Sequence, residues 1–156
     1  MNSSWFSGKG YEIDFDDILL EIEKHIANDG GVFIGTDSMP RIDMCTFATA
    51  ICLHGARDQS GGRYFYKRSI ERNEGFSSLR YRIMCEVQRS IDIGIKIMSL
   101  NPDASVEIHI DIGSTAKSKT RGLKEALGGW ALGAGFEYKI KPHAWASASV
   151  ADKHTK

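Results

Sequence analysis

The chain has too few cysteines for a disulfide framework, no Cys-x-x-Cys pair, no net charge and no long apolar run. Each absence excludes a class of protein. Cys45, Cys52 and Cys85 are read as free thiols rather than as staples or a metal knuckle. Cys45 and Cys52 fall in one expected strand at odd spacing, so they face opposite sides. A formal charge of zero and a pI near 7.0 argue against a protein that coats nucleic acid indiscriminately, which needs a basic excess. A membrane-spanning helix needs about 20 apolar residues in succession, and no such run exists. The first residues lack a basic segment followed by an apolar one, so no secretory signal is expected and a cytoplasmic location is. The phosphate-loop pattern Gly-x-x-x-x-Gly-Lys-Ser/Thr is also missing. No repeat, low-complexity tract or linker divides the 156 residues, so one domain over 1–156 is expected. A chain of this length buries about 70% of its unfolded surface, enough for a real core.

What is present is unevenly distributed. The first thirty residues are acidic: Glu12, Asp14, Asp16, Asp17, Glu21, Glu23 and Asp29 stand against Lys9 and Lys24. The residues after Gly113 are basic, with Lys117, Lys119, Arg121, Lys124, Lys139, Lys141, Lys153 and Lys156 against Glu125, Glu137 and Asp152. This asymmetry suits an anionic partner on one side, or a surface that balances elsewhere in the fold.

Hydrophobic spacing gives the elements. Ile18, Ile22 and Ile26 recur every four residues, which predicts a helix over Phe15–Ala27, stopped by Asn28-Asp29-Gly30-Gly31. Residues 32–36 form a short apolar run closed by Asp37, read as a buried strand. Met44–His54 reads as a second strand and residues 63–70 as a third, joined through Ser60-Gly61-Gly62. The longest helical pattern covers residues 77–100, with Ile83, Met84, Val87, Ile91, Ile95 and Met98 on one face and Asn101-Pro102 at its end. Residues 105–112 alternate as a fourth strand, with Glu107, His109 and Asp111 on one side. A helix over 120–134, a strand over 136–141 and a small-residue helix over 144–154, started by Pro142, complete the chain. Three hairpin-like strands followed by alternating helices and strands make an α/β protein. Its expected core is a mixed five-stranded sheet flanked by helices, with an extra N-terminal helix, which is the element order of the ribonuclease H-like fold.

Four carboxylates stand out in that order. Asp37 and Asp111 close two strands that are neighbours in such a sheet, and ligands gather beyond the carboxyl ends of strands. Glu86 lies at the edge of the apolar stripe of the long helix, from which a side chain reaches over the sheet. Asp152 lies in the last helix, where Ala144 and Ala148 permit close approach to the sheet. Clustered carboxylates repel unless a cation neutralises them, and hard oxygen ligands suit Mg2+ or Mn2+. Two such ions about 3.5–4 Å apart activate water and stabilise a leaving oxygen in phosphodiester cleavage. Each residue alone has a plainer reading as a cap, a turn residue or a solvated charge.

Three stretches resemble the YkuK-like family of ribonuclease H-like proteins. They are Ile34-Gly35-Thr36-Asp37-Ser38, then His109-Ile110-Asp111-Ile112-Gly113 with Lys119-Thr120-Arg121, and then Gly135-Phe136 with Lys139-Ile140-Lys141-Pro142 running on to Val150-Ala151-Asp152-Lys153-His154-Thr155-Lys156. The resemblance spans nearly the whole chain and is most specific at the C-terminus. It implies the ribonuclease H-like fold and a nuclease-like acidic site. Asp37, Asp111 and Asp152 carry over from matching motifs, and Glu86 from its helix position. Met39 follows Ser38 where relatives are expected to have a polar Gln.

Around these residues, Lys117, Lys119, Thr120 and Arg121 precede or open a helix just after Asp111, a placement suited to phosphate; a solvated loop is the plainer reading. Lys153 is a further candidate for contact with nucleic acid. His109 and His154 are candidate proton shuttles, although a lone histidine is more often structural. Tyr64, Phe65 and Tyr66 interleave with Arg63, Lys67 and Arg68, a pattern that binds single strands or simply alternates in a strand. The leading expectation is a divalent-metal-dependent nuclease acting on RNA, DNA or a hybrid. Its rivals are a non-catalytic nucleic-acid- or partner-binding module on the same fold and a metal-dependent nucleotide phosphotransferase.

Overall fold

The structure, a computed structural model, describes residues 4–57, 59–113 and 122–156. Its elements are β1 (Trp5–Ser7), β2 (Glu12–Ile13), α1 (Phe15–Ala27), β3 (Gly31–Pro40), β4 (Met44–His54), β5 (Arg63–Arg72), α2 (Leu79–Leu100), β6 (Val106–His109), α3 (Leu123–Gly133) and β7 (Glu137–Lys139). A wide helical turn, Ala146–Val150, runs into a tight one, Ala151–His154. The sheet is mixed, in the order β2-β1-β5-β4-β3-β6-β7. Strands β3, β4 and β5 form an antiparallel meander, and β6 and β7 add on parallel to β3.

This is the expected α/β sheet with two additional strands. The addition is the N-terminal hairpin, which pairs Trp5 with Lys67 and extends the β5 edge. Its strands of three and two residues are too short to show periodicity in sequence. They hold because Trp5 and Ser7 bury against the core.

Both faces of the sheet are covered, so β4 is buried along nearly its whole length. On one face Ile51, Leu53, Ile34 and Ile108 pack under Ile18, Ile22, Ile83, Val87, Ile91 and Leu127 from the three α-helices. On the other, Ala50 and Cys52 pack with Ala146 and Ala151 of the C-terminal segment, flanked by Phe33 and Trp145. Cys45 packs with Phe47, and Cys52 lies with the C-terminal segment, so the two thiols do fall on opposite faces.

Several ends shift by a few residues, and four differences from the sequence reading bear on the site. Strand β3 runs to Pro40, so Asp37 does not close it but pairs with Ala48 inside it; the meander with β4 sustains the pairing. Strand β6 stops at His109, so Asp111 lies two residues beyond its end. On α2 the buried stripe runs through Ile83, Glu86, Val87, Ser90, Ile91, Gly94 and Ile97, whereas Met84 and Ile95 are exposed. The helix is rotated so that polar Glu86 and Ser90 meet partners on β3, at the expense of two apolar side chains. The C-terminal small-residue helix is replaced by the wide and tight turns, and Pro142 precedes them after a cis peptide bond.

Glycine at position 35 explains how closely that segment docks. A Cβ there would sit 2.3 Å from the backbone nitrogen of Ser147. Only glycine lets two backbones approach in this way. Among the described residues, no helix is long and apolar enough to cross a membrane.

Candidate metal centre

Asp37, Glu86 and Asp111 each offer a carboxylate oxygen within 4.8 Å of the others'. They arrive from different directions. Alternation along β3 sends Ile34, Thr36 and Ser38 toward α2, and Phe33, Gly35 and Asp37 toward the C-terminal segment. The contacts agree: Thr36 bonds Ser90 of α2, while Gly35 meets Ser147 and Phe33 meets Trp145. Glu86 therefore comes from one face of the sheet and Asp37 from the other. They meet because the parallel ladder ends at the pair Gly35 with His109. Beyond that pair β6 no longer separates the faces, and Asp111 fills the gap.

The helix is held in register by hydroxyls. Thr36 Oγ1 lies 2.8 Å from Ser90 Oγ and 2.9 Å from Thr49 Oγ1, a buried three-member chain. One helical turn earlier, Ser38 Oγ donates to Glu86 Oε2 at 2.5 Å. The other oxygen, Glu86 Oε1, is buried and receives no hydrogen bond among the described residues. An acceptor left orphaned in this way is costly unless something else fills the role.

The electrostatics carry the same strain. Burial, a hydrogen bond with Asp152 and the charges of Glu86 and Asp111 push the Asp37 carboxyl up to about 9. Burial, offset by the Ser38 hydroxyl, pushes Glu86 up to about 8. Both therefore hold protons at neutral pH in the absence of a cation. Asp152 is held below the usual carboxylate range, chiefly by its hydrogen bond from Asp37. Two lysines supply positive charge at the rim: Lys141 Nζ lies 2.9 Å from Asp111 Oδ1, and Lys156 Nζ 3.3 Å from Asp152 Oδ2. An all-oxygen donor set containing an orphaned buried acceptor fits a hard divalent cation. Asp37, Glu86 and Asp111 would hold it, with Asp152 alongside.

The other expected residues are placed as follows. His109 is buried, and its Nδ1 accepts the Ala146 N–H at 3.0 Å. Burial, with the charge of Lys139, lowers its pKa to about 4. It therefore ties the C-terminal segment to β6. His154 stacks on Tyr66 with ring centroids 3.6 Å apart and lies 3.0 Å from the Tyr64 hydroxyl. Lys153 lies over the Tyr64 ring, 5.8 Å from its centroid. Trp145 packs against Phe33 and His109. Lys117, Lys119, Thr120 and Arg121 lie outside the described residues.

Three participants were not singled out from sequence: Ser38, Lys141 and Lys156. Lys141 was the most accessible to inference. His109 pairs with Lys139 across the parallel β6–β7 ladder, so the same register carried two residues on sets Lys141 beside Asp111.

Comparison with known proteins agrees with this architecture. The family profile described as "Ribonuclease H-like" matches residues 14–156. The chain is 27% identical over 164 residues to "Uncharacterized protein YkuK" of Bacillus subtilis (strain 168), covering 93% of this chain and 92% of that one. No solved structure matches the chain.

Proposed function

Because the chain belongs to the ribonuclease H-like family, we propose that its carboxylate centre serves divalent-metal-dependent hydrolysis of a nucleic-acid phosphodiester. The observation that carries this reading is the trio Asp37, Glu86 and Asp111 converging from two faces of the sheet, with Glu86 Oε1 buried and unbonded among the described residues. Mg2+ or Mn2+ held there supplies Lewis acidity toward a phosphate oxygen and lowers the pKa of water.

The chain's own residues do the rest. Hydrolysis adds a water oxygen to phosphorus and breaks one phosphorus–oxygen ester bond. Ser38 fixes one Glu86 oxygen and so aims the other into the centre. Lys141, 2.9 Å from Asp111 Oδ1, places a positive charge beside the Asp111 carboxylate. Once Asp37 is ionised, the hydrogen bond that holds Asp152 low is released, and Asp152 at the rim is free to orient water and accept its proton. The chain 114–121 leaves directly from the Asp111 segment, and we assign phosphate contact to its Lys117, Lys119, Thr120 and Arg121. Lys153 and Lys156 extend positive charge on the Asp152 side. The His109 bond to Ala146 supports a positioning role for that residue, since it fixes the segment that carries Asp152.

The test is calorimetric titration of Mg2+ or Mn2+ into the wild type and Asp37→Asn, with cleavage of labelled RNA, DNA and hybrid in parallel. Ion binding and cleavage both lost in Asp37→Asn is the expected result. No ion binding and no cleavage in the wild type refutes the reading. Ion binding without cleavage would assign a non-catalytic nucleic-acid-binding module.

A further inference from the structure

The face of the sheet that carries Asp37 continues past the carboxylate centre toward the β3–β4 hairpin. Strand register defines it rung by rung. Asp37 pairs with Ala48 and Ala48 with Arg68; Met39 pairs with Thr46 and Thr46 with Ile70; Met44 pairs with Arg72. Alternation keeps all of these on the side of Asp37. Tyr66, on the same side of β5, stacks on His154 of the C-terminal segment. That segment reaches the first of those rungs, where Arg68 donates to the Lys156 carbonyl at 3.4 Å.

Beyond that rung, apolar side chains stand in solvent. Ile70 is 49% exposed, Met44 44%, and Ile42, at the hairpin tip, 95%. Met39 is half-buried, and with Ile70 it flanks buried Thr46. Contiguous exposed apolar side chains mark a binding surface, whereas scattered ones do not. Positive charge borders the patch. Arg41, Arg68 and Arg72 are exposed. Among the described residues none of the three is ion-paired; the arginine ion pairs belong to Arg57, Arg63 and Arg89. Glu71 points to the other face, toward Arg89. Asp43 at the hairpin tip opposes the three arginines, leaving a net positive rim.

We propose that this arginine-rimmed apolar face binds a single strand of nucleic acid as it leaves the carboxylate centre. Bases and sugars cover Ile70, Met44 and Met39, and Arg68 and Arg72 take backbone phosphates. Arg68 stands two strand spacings, about 10 Å, from Asp37, so the track is continuous with the centre. A duplex turns its phosphates outward and hides its base faces in the stack, leaving the apolar side chains uncovered. An unpaired strand offers base faces to them and phosphates to the arginines. The nature of the ligand rests on the hydrolase reading.

The test is fluorescence anisotropy of labelled oligothymidylate and oligouridylate, each alone and annealed to its complement, with the full chain in a chelator so that no cleavage occurs. The variants are Arg72→Gln and Ile70→Thr, which are exposed and remote from the carboxylates, with Lys24→Gln at the opposite end of the sheet as control. The expected wild-type result is tighter binding of the single strands than of the duplexes. One phosphate contact on a single strand releases about 0.7 counterion, worth about fivefold at 0.1 M salt. Arg72→Gln should lose that factor and flatten the slope of log K against log salt by about 0.7. Ile70→Thr should weaken binding about threefold, through lost apolar contact, with the slope unchanged. Lys24→Gln should leave both quantities as they are. No binding by the wild type, equal affinity for duplex, or Arg72→Gln and Ile70→Thr binding as the wild type does overturns the proposal. So does a wild-type dimer that Ile70→Thr dissolves while oligonucleotide binding persists, which would assign the face to a second copy of this chain. Variant-sensitive binding in a protein that neither binds Mn2+ nor cleaves would instead overturn the hydrolase reading and leave the track standing.

Discussion

Replacing Asp37 by asparagine should stabilise the metal-free protein, and the gain should grow with pH. In the folded chain Asp37 titrates near 9, raised from 3.8. In the unfolded chain it titrates near its ordinary value. Between those two values the native state holds a proton that the unfolded state has released, so stability falls as pH rises through that window. Each pH unit costs about 1.4 kcal/mol, and the distance from the unfolded pKa to pH 7 is about three units, giving a penalty of about 4 kcal/mol. Asparagine keeps a neutral, hydrogen-bonding side chain and cannot ionise. For a chain of this size the gain corresponds to an increase in Tm of about 10 °C at pH 7. It should shrink toward zero near pH 4. Thermal unfolding followed by circular dichroism in a chelator, at several values between pH 4 and 8, reads this directly. A gap independent of pH, or a variant less stable at pH 8, would refute the account of Asp37 as a protonated, strained carboxyl.

Three further outcomes follow from the same geometry. Loading the wild type with Mn2+ near pH 7 should release between one and two protons, because Asp37 and Glu86 must both ionise to serve as ligands; calorimetry in buffers of different ionisation enthalpy counts them, and a release of zero is the contrary result. Ser38→Ala should weaken Mn2+ binding by about tenfold, the usual effect of losing a ligand-orienting partner, with the loss greater at low pH because the hydroxyl no longer holds Glu86 down. Gly35→Ala should displace the C-terminal segment, since its Cβ meets Ser147 backbone at 2.3 Å; the expected loss is a few kcal/mol, with amide exchange accelerated selectively after residue 145, and uniform destabilisation would argue against this docking role.

The sequence by itself determined most of the secondary structure. Helix α1 and strand β4 begin and end where the periodicity of Ile18, Ile22 and Ile26 and the β-rich run of Met44–His54 place them. Such patterns are local, because a repeat of 3.6 or of 2 reports which side of one element is buried. The acidic residues were legible for a similar reason: Asp37 and Asp111 each follow an apolar run at a strand that must lie inside a sheet. The two short N-terminal strands were not legible, since their stability comes from the β5 edge rather than from any pattern of their own.

Tertiary structure alone decided the rest. The rotation of α2, which exposes Met84 and Ile95 and buries Glu86 and Ser90, depends on hydroxyl partners donated by a different strand. The meeting of Asp37 and Glu86 from opposite faces depends on β6 ending at His109. That end is visible only once the parallel ladder is formed, because pairing between strands so distant in sequence is a property of the assembled sheet. The raised pKa values of Asp37 and Glu86 are of the same kind: a carboxylate's type is written in the chain, but its burial and its neighbours' charges exist only after folding.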